Sequence, residues 1–436
     1  MQMKRKIYEK LMSWKNSTDR KPLILQGPRQ VGKTYIVNTF GQSEYANCVY
    51  CNFEQDEQLN SIFSFDLNPY NLIAKIQNYK RKEIIPNHTL IIFDEIQACP
   101  KAITSLKYFC EEANDYHIIA SGSLLGVSVY REEYSFPVGK VQFMNMYPMD
   151  FEEFLLAYNE EYLVDIIKKS FVNNTPLDAA LHNKALNLYK QYLYVGGMPE
   201  VVSEYIESKN IDLVRDKQLS ILNAYFNDMG KYNKATEIPK TKLVFKSISI
   251  QLAKENKKFK YNELKTGGRA KEFEQSIEWV SAAGIASQLY RLEQVKLPFD
   301  ANRSLSDFKF YMSDIGLCVA SQNILFDDIM FDNALLNNFK GGLAENYVFN
   351  QLKNNGLDMY YWTSGNSAEV DFVTRINSDI IPIEVKSDDN VRSRSLAIYT
   401  KENKPNYSIR ISSKNFGFEN NVKAIPLYAA FCILSK

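Results

Sequence analysis

Apolar residues in this chain follow different rhythms in different stretches. Up to about residue 145, short unbroken apolar runs alternate with segments of helical spacing. The runs Pro22–Gln26, Asn47–Phe53, Thr89–Glu95 and Tyr116–Ser123 read as strands. A strand covered on both faces is apolar throughout rather than alternating. Strand and helix in turn predict an α/β fold, a parallel sheet with helices on both faces in three layers. Ahead of it, Ile7, Leu11 and Trp14 recur at helical spacing and predict an amphipathic helix docked on that core.

Beyond Pro148 the period lengthens. Phe151, Phe154, Leu155 and Tyr158 stand at i, i+3, i+4 and i+7, opening a helical region that runs to about residue 235. Gly196-Gly-Met-Pro199 punctuates that region, and Thr236-Glu-Ile-Pro239 marks its end. Leu243–Ala253, Phe259–Leu264 and Ala270–Ala283 then predict a helix, a short element and a longer helix. Ala286–Leu292 and Phe308–Met312 predict two partner strands, which completes the order of a winged helix. In the last stretch a helix begins near Gly341, and Tyr360–Trp362, Glu369–Val373 and Ile380–Lys386 read as strands, with Ala424–Leu434 a closing strand. The expected modules are 1–147, 148–236, 237–330 and 331–436.

The first strand runs into Gly27-Pro-Arg-Gln-Val-Gly-Lys-Thr34, a Gly-x4-Gly-Lys-Thr phosphate loop with a short helix after it. Gly27 and Gly32 permit the tight turn, through Pro28, that brings the backbone N–H groups of Arg29, Gln30 and Val31 around an anion. Lys33 can reach the β- and γ-phosphates, and the Thr34 hydroxyl can ligate Mg²⁺. The helix N-terminus adds a favourable dipole. Thr89-Leu-Ile-Ile-Phe-Asp-Glu95 ends in two carboxylates at the carboxyl end of its strand. Asp94 is placed to hold the Mg²⁺ shell, and Glu95 to orient the attacking water. A bound ATP, and its hydrolysis, are the implied chemistry.

Composition narrows the setting. The net charge of +1 gives no global attraction to nucleic acid. Residues 240–271, however, carry ten Lys or Arg against Glu255 and Glu263, a local +8 suited to a DNA backbone or to a solvated face. Six scattered cysteines suit a reducing, cytoplasmic setting. Cys48 and Cys51 have half the spacing of a zinc site but point to opposite faces of a strand. The basic start, Met1 to Lys6, has no apolar run behind it, so no export or membrane segment is expected.

Near the C-terminus, Glu384 and Lys386 lie two apart on a strand and share a face. Asp371 on the neighbouring strand can meet them. Two carboxylates and a lysine could hold one or two Mg²⁺ or Mn²⁺ ions and orient a hydroxide.

Taken together, Gly27–Thr34, Phe93–Gln97, Ser121–Leu125, Phe136–Lys140, Met146–Phe154 and Tyr194–Glu200 resemble the prokaryotic AAA-type ATPases that carry a C-terminal nuclease-like domain of unknown function. The resemblance runs over nearly the whole chain. It implies an AAA-type core, a helical region, a winged-helix-like module and a restriction-endonuclease-like C-terminal α/β domain. It also implies a sensor at Ser121 or Ser123, and Glu345 as the helix carboxylate that completes the C-terminal metal site. A basic residue donated to a neighbouring copy would be Arg131 or Lys140, in a homo-oligomer. Two functions follow: ATP-driven DNA binding or processing, or an ATP-dependent signalling switch whose modules contact protein.

Overall fold

A computed structural model describes residues 3–122, 136–365, 368–387 and 394–434. The chain falls into two units, one of Lys4–Tyr147 with Ala282–Gly284, the other of Pro148–Ser281 with Ile285 onward.

In the first unit, α1 (Ile7–Lys15) buries Ile7, Leu11 and Trp14, the stripe read from the sequence. The sheet is built from β1 (Leu23–Gln26), β2 (Asn47–Asn52), β3 (Thr89–Asp94), β4 (His117–Gly122) and β5 (Gln142–Asn145), in the order β2-β3-β4-β1-β5. Every pairing is parallel. The central strands β3 and β4 are buried at every position. Their alternate residues feed two cores: Ile91 and Phe93 pack on one face, Leu90 and Ile92 on the other. That division explains the unbroken apolar runs. Cys51 joins the first core and Cys48 packs against the second, so the pair faces apart as expected. Helices α2 (Lys33–Glu44), α3 (Glu57–Ile62), α4 (Pro69–Lys80) and α5 (Pro100–Glu112) cover the sheet.

Sheet closure bears directly on the phosphate loop. The Met146 N–H donates to the Gln26 carbonyl at 2.7 Å. A Cβ on Gly27 would fall 2.1 Å from the Met146 carbonyl oxygen, and its φ is +152°. Only glycine fits there.

The second unit begins with α6 (Phe151–Ala157), whose start is a capping box: the Asp150 carboxylate accepts from the Glu153 N–H at 2.9 Å, and Glu153 accepts from the Asp150 N–H at 3.2 Å. Helices α7 (Glu161–Asn173), α8 (Ala179–Val195), α9 (Pro199–Ser208) and α10 (Ile211–Tyr232) follow. The Gly-Gly seam after α8 is a packing requirement. A Cβ on Gly197 would lie 2.0 Å from the Met149 carbonyl oxygen, and the Gly197 N–H donates to the buried Asp314 carboxylate at 2.7 Å.

The helix–helix–hairpin order read for 237–330 is present as α11 (Ile238–Leu252), α12 (Ala270–Ala282), β6 (Ala286–Leu292) and β7 (Arg303–Met312), with β6 and β7 antiparallel. Helices α13 (Ile315–Ser321), α14 (Phe326–Met330) and α15 (Asn337–Asn354) lead on to β8 (Met359–Ser364), β9 (Ala368–Ile376), β10 (Asp379–Val385), α16 (Arg394–Asn403), β11 (Ser408–Ser412), β12 (Gly417–Glu419) and β13 (Val422–Pro426). These strands and the hairpin form one mixed sheet, β12-β13-β11-β10-β9-β8-β6-β7. The hairpin is therefore an extension of the C-terminal sheet, joined by parallel pairing of Leu292 with Trp362. The closing strand is shorter than expected: β13 stops at Pro426, and Leu427–Cys432 form a 3-10 helix. Among the described residues, no helix is long and apolar enough to cross a membrane.

Candidate functional site

The phosphate loop links β1 to α2, with Gly32 at φ +94° and Gln30 at φ +64°. Lys33 is 7% exposed and folds back on its own loop, donating to the carbonyls of Gly27 and Pro28 at 2.8 Å each. Burial pulls its ammonium down to about 8, against the opposing pull of Glu95 and Asp94. Pro28 and Val31 are buried, Arg29 is half-buried, and Gln30 and Thr34 are exposed along the loop's rim.

Asp94, at the end of β3, is the hub. Its Oδ2 accepts from Thr34 Oγ1 at 2.9 Å and from the Tyr50 hydroxyl at 2.6 Å. Its Oδ1 accepts from Ser121 Oγ at 2.6 Å and from the Glu95 N–H at 3.1 Å. Because β4 lies between β1 and β3, the three strand ends carrying the loop, the Asp-Glu pair and Ser121 are neighbours. Glu95 adopts a left-handed backbone, φ +48°, and accepts a hydrogen bond from Gln97 Nε2. Ser123 and Arg131 lie outside the described residues. Lys140 pairs with Glu111 at 2.9 Å.

Two supports in this region leave no local trace in the sequence. Tyr50 reaches Asp94 from β2, where Asn52 and Asp94 are register partners. Arg5 braces the loop, donating to the Val31 carbonyl at 3.1 Å and the Tyr147 carbonyl at 2.7 Å.

In the second unit, Asp371 on β9 and Glu384 and Lys386 at the end of β10 are brought together as the spacing predicts. Lys386 Nζ pairs with Glu384 Oε1 at 2.7 Å, and Asp371 Oδ2 accepts from the Val385 N–H at 2.8 Å. Glu345 on α15 joins them, but not as a free ligand. It is paired with Lys257 and with Lys309 Nζ (3.2 Å), and accepts from the Tyr311 hydroxyl at 3.0 Å. Lys309, on β7 and 0% exposed, also meets Glu369 at 2.6 Å and Asp371 at 3.9 Å. Burial would lower the Lys309 ammonium, yet the surrounding Glu345, Tyr311, Glu369 and Asp371 hold it well above the usual lysine range. Asp371 is pushed well above the ordinary carboxyl value by burial, then by Glu345 and Glu384.

These groups do not form the metal centre read from the sequence. Among the described residues, no three His, Cys, Asp or Glu are grouped to hold a metal ion. Ammonium groups and a backbone N–H already occupy most of these carboxylate oxygens, leaving Glu384 Oε2 over among the described residues, so this donor set does not fit a divalent ion.

The basic segment 240–271 also differs from its charge count. Lys240, Lys254, Lys257, Lys258 and Lys265 pair with Glu237, Glu263, Glu345, Asp307 and Glu272. Four of those five carboxylates lie outside the segment or beyond the two glutamates counted against it, so much of its +8 is neutralised. Lys246, Lys260, Arg269 and Lys271 are exposed.

Residues 19–155 match the family model of an AAA domain. The first unit has an AAA-type P-loop ATPase fold. Residues 186–327 and 340–430 match two domains of unknown function, DUF8612 and DUF4143. No curated protein matches the chain. Among solved structures, the Walker-type ATPase PABY2304 of Pyrococcus abyssi is similar at 12% identity and a TM-score of 0.46, over 74% of this chain and 96% of that one. The ORC2 protein of Aeropyrum pernix is similar at 12% identity and a TM-score of 0.31, over 76% and 91% of the two chains. Its ORC1 protein, solved in complex with DNA, gives 12% and 0.28, over 73% and 91%.

Within the AAA unit, the hydroxyl of Thr34 and the carboxylate of Asp94, 2.9 Å apart beside the loop, fit the oxygen donors that Mg²⁺ takes alongside nucleotide phosphates.

Proposed function

We propose that the AAA unit binds and hydrolyses ATP. The observation that carries this is the convergence of Thr34, Tyr50, Ser121 and the Glu95 N–H on Asp94, beside a buried Lys33. In this reading Lys33 releases the Gly27 and Pro28 carbonyls and turns its ammonium to the β- and γ-phosphates. Backbone N–H groups from Arg29 to Thr34 cradle the phosphate oxygens. Thr34 and Asp94 would hold Mg²⁺, which neutralises charge on the phosphate oxygens when bound. Glu95 aligns the attacking water and accepts its proton. Ser121 acts as the sensor by fixing the orientation of Asp94. Lys33→Ala should abolish ATP binding, and Glu95→Gln should retain binding but stop turnover. Undiminished turnover in both variants rejects the assignment.

For the second unit, the order α15-β8-β9-β10-α16-β11, with β10 and β11 parallel, supports a nuclease-like fold, and the module 237–330 supports a winged helix. We assign this unit to DNA binding rather than cutting, with the exposed Lys260, Arg269 and Lys271 as backbone contacts. Replacing these three with Ala should weaken DNA binding and flatten its salt dependence. The internal pairing of half the basic segment favours a second reading, an ATP-dependent switch whose modules contact protein. Absence of binding to any DNA form at low salt would decide for the switch.

A further inference from the structure

In the C-terminal cluster the place among the carboxylates is already taken by side chains of the same unit. Lys309 Nζ lies 3.2 Å from Glu345, 2.6 Å from Glu369 and 3.9 Å from Asp371, and 5.2 Å from the centre of the Tyr361 ring. Its exposure is 0%. It comes from the hairpin strand β7, outside the helix–strand set that carries Asp371, Glu384 and Lys386. A second lysine, Lys257, closes on the other oxygen of Glu345.

We infer that Lys309, with Lys257 behind it, is the resident cation of this cluster and keeps divalent metal out of it. The inference goes beyond the ATPase and DNA readings and depends on neither. Its physical basis is charge and space. A fully buried ammonium with three carboxylates around it gains its Coulomb energy only while those partners stay ionised and close. An Mg²⁺ or Mn²⁺ ion entering the same space would place a double charge beside an ammonium that has no solvent exposure of its own, where their repulsion is strong. One acceptor is left over: Glu384 Oε2 is buried without a hydrogen-bond partner among the described residues. A lone oxygen is too little for a divalent ion, which takes several. With the ammonium removed, that oxygen, Asp371 and Glu345 become the acidic set a divalent ion would use. The hairpin thus converts a would-be metal site into a metal-independent one.

The test is Mn²⁺ binding to the full chain, followed by electron paramagnetic resonance. Asp94→Asn is present throughout, to remove the carboxylate of the AAA unit's own metal position. With Lys309 intact no Mn²⁺ should be retained. In Lys309→Met one ion per chain should bind, and adding Asp371→Asn should abolish it. The inference is overturned if Mn²⁺ binds with Lys309 present and is lost in Asp371→Asn. It is equally overturned if a folded Lys309→Met, judged by circular dichroism, gains no ion. Should Lys309→Met not fold, the Lys309-intact chain decides alone: retention rejects the inference and exclusion upholds it.

Discussion

Two buried lysines stand among carboxylates in this molecule, and they are held in opposite ways. Lys33 in the AAA unit lies against carbonyl oxygens, and burial pulls its ammonium down to about 8. Lys309 in the second unit has Glu345 and Glu369 against it and Asp371 close by, and stays well above the usual lysine range. The difference lies in the partners. A carbonyl dipole solvates a cation without cancelling it, so Lys33 keeps an unmet demand for negative charge. Carboxylates cancel the cation, so Lys309 has no such demand. One lysine is arranged for a ligand that arrives; the other is already matched.

The comparison breaks most readily by mutation at the first site. Lys33→Ala should cut ATP turnover by about 10²–10³-fold, the usual loss when a preorganised charge donor leaves a reaction centre. A steady-state assay that finds less than a tenfold loss would mean that Lys33 is not the ligand-seeking member of the pair. Stability should show the reverse order. Lys309→Met leaves buried carboxylates uncompensated and should cost about 3–5 kcal/mol in denaturant unfolding. Lys33→Met should cost less than about 1 kcal/mol, because its cation is poorly paired to begin with. Equal losses would erase the distinction.

The pH response sharpens it further. Free Lys33 loses its proton near pH 8, whereas a triphosphate beside it would keep it charged. Binding above that pH must therefore take up a proton, and ATP affinity should fall as pH rises, by up to about tenfold per unit. Calorimetry in buffers of different ionisation heat would detect the uptake, and flat affinity between pH 7 and 9.5 would contradict it. The smallest expected effect is at Tyr50. Tyr50→Phe deletes one charge-assisted hydrogen bond to Asp94, at 2.6 Å, and should slow turnover several-fold with ATP binding almost unchanged.

How much of this was legible depended on where the information sits in the chain. The phosphate loop is contiguous, and its glycines, lysine and threonine serve one ligand, so spacing alone revealed it. Asp94, Glu95 and Ser121 were legible because each ends a buried apolar strand, and strand ends of a parallel sheet converge. Tyr50 was not, since its reach depends on the register that pairs β2 with β3. In the second unit, Glu384 and Lys386 share a face by simple alternation, and that reading needed no tertiary knowledge. Lys309 did need it. It is 36 residues from Glu345, on a hairpin whose fusion with the C-terminal sheet leaves no local trace. The count of +8 overstated the unpaired charge of the basic segment for the same reason: a window of charges cannot register Glu345, 88 residues beyond Lys257. The Gly196-Gly197 seam was visible as punctuation, while its cause, the Met149 carbonyl and Asp314, was not.

The backbone contact of Gly27 with Met146 has a mechanical consequence. Met146 and Tyr147 are the last residues of the AAA unit before the chain passes to Pro148, and Arg5 ties Tyr147 to Val31 of the loop. The exit tether of the AAA unit is thus held at Gly27 by main-chain atoms and at Val31 by the Arg5 side chain. A cradle that tightens or slackens moves the root of that tether directly, as a hand on a lever's fulcrum shifts its arm.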